Sequence, residues 1–230
     1  MSPVAGVDGC RGGWVVALLD DRADAPPGPS FTVTRSLEPL VADVVAGRVV
    51  AAAVDMPIGL PRAGVRPCDV AARARLGARR SAVFPAPSRA VLGARDHAEA
   101  IVRERAASGR GLSLQAFRLV PKVAELDGIV VPELQDRLVE AHPELAFARL
   151  AGAPAVHPKR TPAGLAERRV LLEQAGLAPD PDLRLPGAAI DDVLDAAVLT
   201  LTAARVRDGT AEHLGDGSRD TRGLRMEIVV

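Results

Sequence analysis

Pro3-Val4-Ala5-Gly6-Val7-Asp8-Gly9-Cys10-Arg11-Gly12-Gly13-Trp14 takes an apolar run to a single carboxylate, then a glycine-rich turn, then a second apolar run from Trp14 to Leu19. A buried strand that delivers Asp8 to a sheet edge, followed by glycines that let another group come close, suits a metal or a phosphate. The spacing is not that of a Walker loop, which needs Gly-x-x-x-x-Gly-Lys-Ser/Thr. The remaining carboxylates are therefore judged by whether a fold brings them to Asp8.

Working outward, Phe31–Thr34 reads as a third strand, and the proline-rich connector from Asp20 to Pro29 as the loop before it. Leu37, Leu40, Val41, Val44 and Val45 recur at helical spacing, with Ser36 as N-cap and Gly47 as the stop. Val49 to Val54 is continuously apolar, as in a strand buried on both faces of a parallel sheet, and it ends in Asp55-Met56-Pro57-Ile58-Gly59. Ligands in open sheets gather at the carboxyl ends of parallel strands. If the first and fourth strands are neighbours, Asp8 and Asp55 meet.

Residues 60–130 leave this pattern. Pro67–Leu76, stopped by Gly77, and Asp96–Ser108, with Glu99 completing a capping box, read as helices. Ser113 opens a third over Leu114–Leu126, which Pro121 is expected to kink or divide. The stretch reads as a helical insertion over the sheet. Between Leu60 and Lys122, thirteen basic residues face only Asp69, Asp96, Glu99 and Glu104, although the whole chain carries 29 basic and 29 acidic residues. A basic lobe beside an acidic sheet suits a metal-dependent enzyme acting on a polyanion, and an Arg-rich solvated helical face accounts for the same count.

Arg137–His142 fits a fifth strand, and Pro143 starts a helix with Glu144 in its first turn. Thr161-Pro162 caps and starts a helix running to Gln174. The last helix, Ile190–Asp208, has Ile190, Val193, Leu194, Ala197, Val198 and Leu201 on one face, and Leu224–Val230 reads as a terminal strand. The fold class is α/β: a mixed five-stranded sheet flanked by helices, with the helical insertion between the fourth and fifth strands. The 230 residues are expected to form one domain, with the basic insertion at about 60–130. With four Phe, one Trp and no Tyr, the core falls to Leu, Val and Ala. No apolar stretch reaches the roughly 18 residues of a membrane span, and no signal peptide is evident. Cys10 and Cys68 lack metal-type spacing. A soluble cytoplasmic protein with no membrane partner is expected.

The last helix carries Asp191, Asp192 and Asp195. At about 100° per residue, Asp191 and Asp195 fall roughly 40° apart on the border of the apolar stripe, and Asp192 lies about 60° from Asp195, further toward solvent. Acids favour helix N-termini in any case, which covers one or two of the three but Asp195 least. Asp8, Asp55 and Asp195 are the set a two-metal site requires. Mg²⁺ or Mn²⁺ would take their oxygens, and two ions roughly 4 Å apart serve phosphodiester hydrolysis.

Gly6–Trp14, Asp55–Gly59, Gly111-Leu112-Ser113-Leu114-Gln115-Ala116, His142-Pro143-Glu144 and Asp191-Asp192-Val193-Leu194-Asp195-Ala196 together resemble the DUF429 family, in order and over nearly the whole chain. The resemblance implies a ribonuclease H-like fold and a predicted nuclease. The Asp192-x-x-Asp195-Ala196 pattern also resembles the last helix of the Holliday-junction resolvases of that superfamily, which implies Asp8, Asp55, Asp192 and Asp195 as the catalytic acids. Helix geometry alone ranks Asp191 above Asp192 as the metal ligand beside Asp8, Asp55 and Asp195, and both stand.

Glu144 is a further catalytic candidate, with a first-turn helix acid as the plain alternative. His142 orients a water or, better, caps the helix. Lys122 and Lys159, the only lysines, together with Arg11, Arg79, Arg80 and Ser81, are candidates to touch substrate phosphates. The implied partner is nucleic acid, DNA or RNA, bound through its backbone, since so few aromatics argue against stacking on bases. A homodimer is compatible with this reading. Two alternatives have different chemistry: a small-molecule phosphotransferase of the actin and sugar-kinase type, and a non-catalytic nucleic-acid-binding module whose acids are structural.

Overall fold

The computed structural model describes residues 2–20, 22 and 27–230; half of the expected loop at Asp20–Pro29, namely Asp21 and Ala23–Pro26, lies outside them. The elements are β1 (Val4–Cys10), β2 (Gly13–Leu19), β3 (Ser30–Thr34), α1 (Glu38–Val45), β4 (Ala51–Val54), α2 (Pro67–Leu76), α3 (His97–Ser108), α4 (Leu114–Ile129), β5 (Leu138–Glu140), α5 (Pro143–Ala151), α6 (Pro162–Gln174), α7 (Ile190–Arg207), and the two-residue strands β6 (His213–Leu214) and β7 (Ile228–Val229). The main sheet has five strands in the order β3-β2-β1-β4-β5. It is mixed, as expected: β1 pairs antiparallel with β2 and β2 with β3, whereas β4 runs parallel to β1 and β5 parallel to β4.

The chain forms two compact units. One holds residues 1–55, 136–212 and 229–230, and the other residues 56–135 and 213–228. The first contains the sheet. Its core is built by Leu194, Ala197, Val198, Leu199 and Ala203 of α7 against Val4 of β1, Ala51 and Ala53 of β4 and Val139 of β5. Gly6 is the residue that permits this. A Cβ there would stand 2.1 Å from the Ala196 carbonyl oxygen and 2.6 Å from the Thr200 nitrogen, so α7 crosses β1 over bare backbone.

The opening stretch differs from its sequence reading in one respect. β1 does not end at Asp8 but continues through Gly9 and Cys10, which pair with Trp14 and Gly13 across a two-residue turn at Arg11-Gly12. The glycines do admit close approach, and what approaches is the chain itself. The Gly12 amide donates to the Gly187 carbonyl at 2.8 Å. Gly13, at φ +131°, lies where a Cβ would strike the Thr34 carbonyl.

The second unit holds the stretch expected as an insertion, together with residues 213–228, which the sequence reading did not assign to it. Val91, Ala100, Leu112 and Val120 form one of its cores. Pro121 does not divide α4, because it removes one backbone hydrogen bond while buried Val120, Val123 and Leu126 anchor both sides. Asp96 caps α3 by accepting the Glu99 amide, but the Glu99 carboxylate turns to the Arg95 amide and guanidinium. The basic excess is also moderated. Arg66 is buried against Asp69, Arg89 joins Asp127 and Asp220, and Arg110 meets Glu104. Counting everything in the unit, sixteen basic residues stand against ten acidic ones, so its net charge is +6.

Candidate functional site

Asp8 and Asp55 stand side by side because β1 and β4 are parallel neighbours in register, Val7 opposite Val54, with the Asp55 amide donating to the Val7 carbonyl at 2.9 Å. Asp195 arrives from α7, one residue before the carbonyl that lies over Gly6. Asp8 is 6 % exposed and Asp195 fully buried, with Asp55 half-buried. One Asp8 oxygen accepts the Gly9 amide at 2.8 Å.

The electrostatics express the crowding. Burial, and then the charges of Asp55 and Asp195, push the Asp8 carboxyl well above the usual carboxylate range; Lys159 opposes them and Asp192 adds to them. Asp195 is pushed up to about 6, by burial first, with Lys159 opposing and Asp55 and Glu144 reinforcing. For Lys159, burial disfavours the charge, but Asp195 and Asp8 outweigh it and hold the ammonium above its ordinary value.

Lys159 is the residue whose role the sequence understated. It sits in the connection between α5 and α6, and its Nζ lies 2.5 Å from Asp195 Oδ2. The other Asp195 oxygen, Oδ1, is buried and has no hydrogen-bond partner. The only cue in the sequence is that Lys122 and Lys159 are the two lysines of an otherwise arginine-using chain.

The two acids at the start of α7 are used differently. Asp191 is buried and pairs with Arg160 at 3.2 Å. Asp192, the more exposed, accepts the Ala189 amide at 2.9 Å and closes the helix start, and burial raises its protonation above the ordinary range. The charge of Asp192 reaches Asp8 and helps to raise its protonation.

Glu144 is buried and ion-paired with Arg168, a fully buried arginine that also donates to the carbonyls of His157 and Gly164 and lies over the Phe147 ring. Sequence reading gave no hint of Arg168. His142 caps α5 through Nδ1, which accepts the Glu144 amide at 3.2 Å. Arg11 is exposed at the β1–β2 turn. Arg79, Arg80, Ser81 and Lys122 belong to the other unit; Arg80 and Ser81 are exposed, Arg79 and Lys122 half-buried.

Among the described residues, no three His, Cys, Asp or Glu side chains are already gathered as a metal-binding group. What suits a divalent cation here is the donor chemistry. Three carboxylates bear on one another, two are buried with raised protonation, and Asp195 Oδ1 lacks a partner. A hard cation that takes oxygen ligands relieves all three conditions.

A family model described as "Protein of unknown function (DUF429)" matches residues 6–219. No curated protein and no solved structure matches the chain.

Proposed function

The chain belongs to the DUF429 family, and on that premise we propose that it is a cytoplasmic, metal-dependent phosphodiesterase acting on nucleic acid through Asp8, Asp55 and Asp195 on a ribonuclease H-like sheet. The observation that carries this reading is the convergence of those three acids from two parallel strands and the helix crossing them, with a buried Asp195 oxygen left unpartnered. The strand order β3-β2-β1-β4-β5, antiparallel on one side and parallel on the other, supports the ribonuclease H-like assignment.

Asp8, Asp55 and Asp195 would hold Mg²⁺ or Mn²⁺, with Asp192 at their border. A bound divalent ion supplies Lewis acidity toward a phosphoryl oxygen and a lowered pKa for its water. The chain's own contribution is a largely buried cluster of acids set by β1, β4 and α7, so that the oxygens are placed before substrate arrives. Lys159 supplies a fixed positive charge beside them. Glu144 of α5, tied to Arg168, adds negative charge toward Asp195. The net positive charge of the other unit suits phosphate-backbone contacts, for which Arg80 and Ser81 are the exposed candidates.

Asp8→Asn tests the reading. With Mg²⁺ or Mn²⁺ and a panel of labelled DNA and RNA duplexes, single strands and junctions, the wild type should cut at least one substrate. The variant should lose about a hundredfold or more in rate while retaining binding. A variant that cuts as well as the wild type, or a wild type that binds but never cuts, refutes it.

A further inference from the structure

Lys159 is held in its position by more than its own ion pair. Thr161 Oγ1 donates to the Pro158 carbonyl at 2.8 Å, and the Thr161 amide donates to the same oxygen at 3.0 Å. Glu167 accepts the amides of Val156 and His157 at 2.8 and 3.0 Å, and Arg168 donates to the His157 carbonyl at 3.2 Å. Gly164 has no side chain where a Cβ would stand 2.0 Å from the Pro158 carbonyl oxygen. The first turns of α6 therefore clamp the segment that carries Lys159. A surface lysine needs no such clamp.

The residue type is informative as well. Arginine supplies every other positive side chain except Lys122. A guanidinium is a broad planar fork, whereas an ammonium is a compact, strongly hydrated point charge, the closer mimic of a small cation. It meets one oxygen of Asp195 and leaves the other, buried and unpartnered, for something else. Three carboxylates less one ammonium leave two negative charges, which a single divalent ion offsets.

We propose that the Lys159 ammonium takes the place of one of two divalent cations at the acid cluster, so that the chain binds one metal ion where the carboxylates alone would bind two. The number of ions rests on the metal-binding reading above; the substitution of one ion by Lys159 is tested separately from it.

The experiment counts Mn²⁺ bound per EDTA-stripped full-length chain from the loss of the free-ion electron paramagnetic resonance signal, with circular dichroism followed in the same titration. Wild type and Lys159→Arg should each bind one ion, and Lys159→Met two. If Lys159→Met is unfolded without metal, recovery of its helical signal as it takes up one ion more than the wild type is the same positive result. Equal counts for wild type and Lys159→Met, an extra ion in Lys159→Arg, or a Lys159→Met chain that stays unfolded at saturating Mn²⁺ overturns the inference. A wild type that binds no ion overturns the metal-dependent reading and this inference with it, whereas equal counts of one or more ions in wild type and Lys159→Met overturn this inference alone.

Discussion

A carboxylate with no solvent exposure, one oxygen on an ammonium and the other on nothing, is a costly arrangement, because burial strips away the water that stabilises its charge. Asp195 responds by titrating at about 6 instead of its ordinary 3.8. A group that binds its proton more tightly when folded favours the native state most at low pH. In metal-free protein, the contribution of Asp195 should therefore decline as pH rises from about 4 to about 6 and level off above that, a change on the order of 2 kcal/mol. Asp195→Asn mimics the protonated form and should lack this decline. Urea unfolding in EDTA between pH 4.5 and 7.5 checks it, through the difference between wild type and variant. A difference that stays constant with pH means that Asp195 does not titrate in this window.

At the level of elements, the site depends on how closely α7 lies on β1. Gly6→Ala places a methyl group against backbone atoms of α7 at Ala196 and Thr200, which cannot rotate away. It should destabilise the fold by about 1–3 kcal/mol or more. Gly111→Ala, where a Cβ meets nothing within 4 Å, should change stability by no more than about 0.5 kcal/mol. Thermal or urea denaturation of the two variants compares them directly, and equal, small effects would show that α7 shifts freely. The same view explains the stretch after Asp8. Its glycines are engaged with Gly187 and Thr34, so they shape a hairpin and its packing. The helix starts at Ser113, His142 and Thr161 are capped as their residue types suggest, because capping is a local event between a side chain and an amide two or three residues on.

Across the whole molecule, zero net charge conceals a unit of +6 and, by difference, one of −6. Arg89, counted in the basic lobe, is neutralised by acids distant in sequence, Asp127 and Asp220, and Arg66, Arg95, Arg103 and Arg110 by acids close by in the chain. The surface left for a polyanion is correspondingly smaller. Arg80, exposed in its unit, remains available. If it meets phosphate, Arg80→Ala should weaken nucleic-acid binding to all sequences alike and lower the slope of log K against log salt by about 1. Fluorescence anisotropy from low to moderate salt measures this, and an unchanged slope removes Arg80 from the contact. No helix among the described residues is long and apolar enough to cross a membrane.

Sequence alone determined whatever depends on short-range pattern: the apolar runs of β1 and β4 with Asp8 within the first and Asp55 just after the second, the caps at Ser113 and Thr161, the helix from Pro162 to Gln174, and the family. Period and capping are written in neighbouring residues, so they need no fold to be read. Tertiary structure decided what depends on contacts between distant residues. It set Lys159 on Asp195 and Arg168 on Glu144, turned Asp192 to a capping amide and Asp191 to Arg160, and gathered residues 213–228 with the second unit. A side chain's partner is fixed by burial and by which charges the fold leaves to be balanced, and neither is legible before the chain has closed on itself.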